Sequence, residues 1–338
     1  MNKSSKIKDI LYTLAFPAVM LIIMEIIVFS LKDRHIIYSM LDVKTLIRNT
    51  GEATVIALAL SFNLSCGRLD LSLGAQRLAG TIVGGVLAIN MGLSGVWLLI
   101  FAIAFGFLFG LITGIAFVTL RVPPMVLGIG VGLALECIPY AVSEGKGLNI
   151  FGVAGTSILS ESTFVIGVVI IIGIFVNILL NNTVFGYQMR AIQGSQWIAL
   201  NSGINIFAST VMCYALAGAL VCVAGILNVS YTTQMASALG LASNGTVLAN
   251  MFPMVLGGYI GRKTNQATGI IVAALTVKIF TYGLVLLELS EANSSVASNI
   301  LFVAFLVFLA NEAVFRNKRS QRERIAQALE KKKKLGLA

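Results

Sequence analysis

The residues best placed to do chemistry lie in one short polar run, Ser61-Phe-Asn63-Leu-Ser-Cys-Gly67-Arg68-Leu-Asp70-Leu-Ser72-Leu-Gly74, set between hydrophobic stretches. An acid, an arginine, an amide and three serine hydroxyls could hold a polar solute, cap a helix or line a passage, and the Gln76 amide follows directly. After Arg77, the 43 residues from Leu78 to Leu120 carry no charge. An ionisable group in hydrocarbon costs roughly 2.5–3.5 kcal/mol on insertion scales, so it faces a partner, a cavity or water. The run therefore reads as a membrane-boundary loop or as part of a passage. Arg68 and Asp70, two residues apart, are expected to neutralise each other. Glu25 lies inside the first span, to be satisfied by a neighbouring helix or by the outer headgroups. Glu52 opens the second span and suits the interface. Glu136, just before Pro139, is the best candidate for a charge facing a lumen.

Other chemistry is excluded by what the chain lacks. His35 is the only histidine, so neither a histidine metal cluster nor a Ser-His-Asp triad can be built. Cys66, Cys137, Cys213 and Cys222 lie in or beside apolar segments without a Cys-x-x-Cys spacing, and read as small buried hydrophobes. Gly257-Gly-Tyr-Ile-Gly261-Arg262-Lys263-Thr264 ends like a phosphate-binding loop, but Arg262 stands where that motif needs glycine. It also follows an apolar helix and not a strand, so it reads as a basic turn. No nucleotide site and no cofactor site is expected, and the chain is not read as an enzyme. Any ATP it depends on must be hydrolysed by a partner.

The elements that position these groups are membrane spans. Mean hydropathy is +0.92, with 57% hydrophobic and only 11% charged residues, against about 25% charged in soluble domains. Spans need about 20 apolar residues. Ten such windows are predicted: Ile10–Leu31, Lys44–Leu64, Leu71–Ile89, Gly95–Leu120, Met125–Val142, Thr163–Leu180, Phe207–Val229, Thr246–Tyr259, Ala267–Leu287 and Ala297–Phe315. Leu71–Ile89 and Thr246–Tyr259 are too short or too polar for plain spans and are expected to be broken or re-entrant, which membranes tolerate only where protein or water satisfies the backbone. The fold expected is an all-α polytopic membrane protein, with residues 1–315 as the membrane domain and 316–338 as a basic cytoplasmic tail. The N-terminal span is longer than a signal-peptide core, lacks a small-x-small cleavage site and is expected to be retained.

Charge sets the orientation. The net charge of +10 is concentrated at the ends, with nine of the 24 Lys and Arg residues between Arg316 and Lys334. With both termini cytoplasmic, 17 basic residues fall inside and five outside, as the positive-inside rule requires. Basic ends of this kind are what the positive-inside rule expects and do not point to nucleic acid, with a lipid-headgroup contact as a secondary reading of Lys331–Lys334. The long loop Ser143–Ser162 is then external. The amphipathic loop Asn181–Asn205 is internal, either an interfacial helix or a docking element for a cytoplasmic partner, with Ile192, Trp197 and Leu200 as its apolar stripe. The ridge Gly106-x3-Gly110-x3-Gly114 and the pairs Gly80/Gly84 and Gly128/Gly132 are packing devices for close helices in lipid.

Three segments carry a resemblance. Asp70-Leu71-Ser72-x-Gly74 resembles the Gly-x-Asp-Leu-Ser-x-Gly signature of bacterial permeases of ATP-driven simple-sugar importers, of the ribose, galactose, xylose and autoinducer-2 type, with one residue inserted after Gly67. Gly186-Tyr187…Ala191…Gly194…Ala199…Ser202-Gly203-Ile204-Asn205 and Val255-Leu256-Gly257-Gly258 follow in the family's order. Here Ser195-Gln196 departs from the usual asparagine pattern, Tyr259–Gln266 replaces a glycine-rich stretch, and Glu136-Cys137 stands about where many members carry Arg-Gly.

The resemblance implies one half of a homodimeric channel of the type II ABC importer kind in the bacterial cytoplasmic (inner) membrane. It would be fed by an extracytoplasmic solute-binding protein and driven by ABC ATPase subunits. ATPase coupling would fall to Gly186, Arg190, Ala191, Gly194, Ser195, Gln196, Ala199, Gly203, Ile204 and Asn205. In that reading Gly194 allows close approach, Ala199 is buried against the ATPase and Gly203 ends the helix. Asn63, Asp70, Ser72, Gln76, Glu136 and Asn250 are the candidates for the pathway or its gate, with Asp70 capping the following helix. A nucleoside or other non-sugar permease of the same superfamily, and an ion-coupled secondary transporter, are the alternatives.

Overall fold

A computed structural model describes residues 3–290 and 292–312. Fourteen helices can be named among them: α1 (Lys3–Lys32), α2 (Met40–Leu64), α3 (Leu73–Asn90), α4 (Val96–Leu120), α5 (Pro124–Val142), α6 (Ser157–Ser160), α7 (Ser162–Asn182), α8 (Val184–Gly194), α9 (Gln196–Asn201), α10 (Ile206–Thr232), α11 (Asn244–Ala249), α12 (Met251–Ile260), α13 (Gln266–Leu286) and α14 (Ala292–Glu312). Seven of the described helices (α1, α4, α5, α7, α10, α13 and α14) are long and apolar enough to cross a membrane. The chain divides into two compact units, Met1–Gly283 and Leu284–Ala338. The basic tail 316–338 lies outside the described residues.

Within the described residues all ten expected spans coincide with helices, and the two short ones carry the breaks expected of them. The stretch from Leu71 is broken at its start, as expected. It begins in a non-helical turn and continues as the 18-residue helix α3, about 27 Å long at 1.5 Å per residue. The break expected near Asn250 is present, dividing α11 from α12. There the Asn250 Nδ2 donates to the Thr246 carbonyl at 2.8 Å. α2 starts sharply because Ser39 and Asp42 form a reciprocal capping box. The loop expected outside the membrane contains β1 (Leu148–Asn149), paired antiparallel with β2 (Gln234–Met235) in the register Leu148↔Met235.

α10 is the axis of the first unit. Its side chains are mostly small (Ser209, Cys213, Ala217, Gly218, Cys222, Gly225), so neighbours come to backbone distance. The α4 ridge packs here: a Cβ on Gly110 would collide with the Tyr214 carbonyl, and one on Gly106 with the Gly218 carbonyl. α3 completes the contact, its Gly80 against the Gly106 backbone. In lipid no hydrophobic force drives helices together, so this close van der Waals packing is the main adhesive. α3 carries Gln76 and Arg77 four and five residues in, and α2 carries Glu52 near its middle, so the α2–α3–α10 contact holds the polar groups.

Candidate functional site

The turn between α2 and α3 is knotted around one carboxylate. Asp70 Oδ1 accepts from the Ser72 backbone N–H (2.9 Å) and from the Ser72 hydroxyl (2.6 Å). Asp70 Oδ2 accepts from Gln76 Nε2 (3.4 Å) and Asn63 Nδ2 (3.5 Å), and Gln76 Nε2 also donates to Ser72 Oγ at 2.8 Å. Four of the sequence-derived pathway candidates thus meet in one fully buried cluster at the start of α3. The carboxylate takes up one backbone N–H at the helix entrance, that of Ser72, just before the first helical residue Leu73. The expected Arg68–Asp70 ion pair is not among the described contacts. Arg68 turns away, with its guanidinium carbon 6.0 Å from the Phe117 ring centroid. The reason is that neutral donors two to seven residues away already fill both oxygens of Asp70.

Glu136 does not face a lumen. It is 0% exposed. Its Oε2 accepts from the Leu241 N–H (2.7 Å), and its Oε1 from the Ser243 N–H (3.1 Å) and hydroxyl (2.5 Å). It therefore staples α5 to the segment that leads into α11. That segment reaches the Asp70 turn: a Cβ on Gly74 would lie 2.7 Å from the Ser243 carbonyl, and one on Gly128 of α5 would lie 2.7 Å from the Leu71 nitrogen. Glycines let the turn before α3, the segment before α11 and the α5 face meet.

A second charged centre was not singled out by sequence. Glu52, expected at the interface, is buried and ion-paired with Arg77 at 2.6 Å. Its other oxygen accepts from Asn228 Nδ2 (3.0 Å) and from the Tyr231 hydroxyl, both on α10. Lys278 of α13 lies within electrostatic reach of Glu52. The signal that could have found this centre is Arg77 itself, a cation inside a span that needs an acid nearby. Glu25 resolves more simply, accepting from His35 Nδ1 (2.5 Å) and the Ile36 N–H (3.0 Å) in the loop that follows α1.

Between the two centres lies a cavity of about 280 Å³, lined by Gly74, Arg77, Asn228, Gln234, Ser243 and Thr246 among others. Its polar wall is made of amides, hydroxyls and one arginine whose charge Glu52 already balances. Asn63, Asp70, Gln76 and Glu136 do not line it; they hold the pieces that do. Asn250 lies one helical turn beyond Thr246, at the α11–α12 break.

Residues 46–310 match the family model described as the branched-chain amino acid transport system permease component. The chain belongs to this family. The ribose import permease of Escherichia coli (strain K12) is 22% identical over 76% of this chain and 82% of its own length. The autoinducer 2 import permease of Salmonella typhi is 27% identical over 85% and 88%. A solved ABC transporter described as metal-chelate type, in an inward-facing conformation, shares the fold with a TM-score of 0.50 at 13% identity, over 88% of this chain and 98% of its own. The permease is thus a non-enzymatic, multi-pass channel subunit of the inner membrane, of a kind that works with an ATPase and a solute-binding protein.

The permease presents its α8–α9 hairpin with an orientation that sequence reasoning half anticipated. Ser195 breaks the two helices and caps α9 by accepting from Ile198 N–H. Gly203 ends α9 at φ 77°, where the left-handed conformation suits glycine. Asn205 caps α10 by accepting from Ala208 N–H at 3.0 Å. Arg190 donates to Asn181 Oδ1 (3.2 Å) and stacks on Tyr187. Ala199 (2% exposed) and Ile192 do not face outward: they pack into the permease, correcting the expected stripe. The outward face is Tyr187, Trp197 (73% exposed), Ile198 and Leu200, and Gly194 has open space beside it. The physical reason is the kink at Ser195, which rotates α9 out of phase with the single helix that the stripe assumed.

Proposed function

We propose that this permease is the membrane half of an ATP-driven importer for a simple sugar. Two copies of the chain form the channel, and the termini lie on the cytoplasmic side with the α8–α9 hairpin. The observation that carries the substrate class is the chemistry of the 280 Å³ cavity. It offers amide and hydroxyl hydrogen bonds beside an arginine whose charge is already balanced by Glu52, an environment for a small neutral polyol and not for an ion. Its volume is near the lower end of small-molecule sites. The relative that imports ribose supports the same reading. Side is assigned from Arg121, Arg190, Arg262 and Lys263, which lie in the α4–α5, α7–α10 and α12–α13 connections, Arg190 within α8. Trp197, Ile198 and Leu200 then form the face on which the ATPase docks, with Gly194 permitting close approach.

The test is reconstitution of the permease with its ATPase and binding protein in liposomes, followed by uptake of labelled ribose, galactose, xylose and a nucleoside. ATP-dependent accumulation of a sugar is expected. Accumulation of the nucleoside alone, or uptake driven by an ion gradient without the ATPase, would overturn the proposal.

A further inference from the structure

A second cavity, of about 440 Å³, lies under the α2–α3 turn on the α8–α9 side. Arg68, Phe117, Arg121, Gln196, Thr210 and Cys66 are on its wall, and no carboxylate is. Arg68 is 6% exposed, and its Nη1 has no hydrogen-bond partner among the described residues. Among the described residues neither Arg68 nor the exposed Arg121 makes an ion pair there. A buried guanidinium is ordinarily paired, because leaving it bare forfeits its hydration without return.

We infer that this cavity is a binding site for a small phosphorylated solute, with the phosphate held between Arg68 and Arg121. Guanidinium groups match phosphate and carboxylate oxygens in paired hydrogen bonds. Charge decides between the two: a phosphate monoester carries close to two negative charges at neutral pH, which balances two arginines, whereas a carboxylate balances one. The volume exceeds what inorganic phosphate needs. The remaining wall supplies an amide (Gln196), a hydroxyl (Thr210) and an aromatic face (Phe117), which suit a hydroxylated body of monosaccharide size. Gln196 belongs to α9, whereas Arg68, Arg121 and Thr210 belong to the membrane body. A ligand touching both ties the docking hairpin to the body and favours whichever conformation has the two close, at the expense of the others. Such a site gives feedback by a phosphorylated product of imported sugar; this regulatory role, though not the binding itself, rests on the importer reading above.

The test is binding to the purified full-length permease in phosphatidylcholine nanodiscs, by calorimetry and thermal stability, so it is independent of any transport assay. Ribose 5-phosphate is expected to bind and raise the melting temperature, inorganic phosphate to bind more weakly, and ribose and gluconate not to bind. Arg121→Gln and Gln196→Ala leave the fold intact and should weaken ribose 5-phosphate at least tenfold and severalfold respectively; Arg68→Gln should abolish it. Nanodiscs containing phosphatidylglycerol separate the sources of phosphate. Loss of ribose 5-phosphate binding there, with Arg68-dependent stabilisation by the lipid, would assign the phosphate to a lipid headgroup and sink the soluble-ligand proposal. Equal binding of gluconate, binding unaffected by the substitutions, or no binding at all would also overturn it.

Discussion

Asp70 accepts four hydrogen bonds, and only one of its neighbours is a backbone group that cannot rearrange. Asn63 Oδ1 and Gln76 Oε1 are buried acceptors without partners, so both amides can turn over to meet an introduced amide donor. Asp70→Asn should therefore cost about 1 kcal/mol or less, whereas Asp70→Leu strands buried donors at about 1–3 kcal/mol each. Thermal stability of the two variants in detergent should separate clearly, and equal loss would show that charge matters at this position. The Glu52–Arg77 pair follows the other logic. Removing one partner of a buried pair typically costs about 3–5 kcal/mol, while replacing both with apolar groups can be near neutral. Glu52→Leu and Arg77→Met should each destabilise severely and the double variant much less, a coupling that a double-mutant cycle measures directly; additive losses would mean the pair is not a unit. Single residues were unevenly legible in the sequence. The local knot around Asp70 could be read because its members lie within 14 residues. The donors to Glu136, in the segment before α11, and the α10 partners of Glu52 lie more than 100 residues away, beyond what spacing can report.

Helices were the most legible layer, since a continuous apolar run has few other fates in a membrane. What the sequence did not disclose is phase, meaning which way each helix turns. The α8–α9 hairpin shows this best. Ser195 is a good cap, and the kink it makes carries Ala199 inward and Trp197 outward. Ala199→Glu should then destabilise the permease itself, visible as lost monodisperse yield without any ATPase present. Trp197→Asp and Gly194→Val should leave stability unchanged and abolish co-purification of the ATPase. Normal ATPase recovery with both would make the hairpin a connector only. The α4–α10 contact allows the opposite forecast. Gly110→Leu drives a side chain into the Tyr214 carbonyl along a whole helix face, and should eliminate folded protein, whereas Gly130→Leu on α5, with open space around it, should be tolerated.

At the scale of the whole molecule, the polar groups act mainly as fasteners between segments distant in the chain. The solute-sized cavity is a consequence of how those fasteners set α3, α10 and the segment before α11. The fastening also imposes an order of events during synthesis. Glu52 and Arg77 are 25 residues apart, so the α2–α3 pair can enter the bilayer already neutralised. Glu136 has no such companion. Its donors, Leu241 and Ser243, follow 105 and 107 residues later, which at a translation rate of about 5–20 residues per second is roughly 5–20 s. For that interval α5 carries an acid with no native donors, and it has to wait at the insertion machinery or near the membrane surface. The staple that completes the native structure is thus also a timer: α5 can settle only when the chain has emerged from the ribosome as far as Ser243.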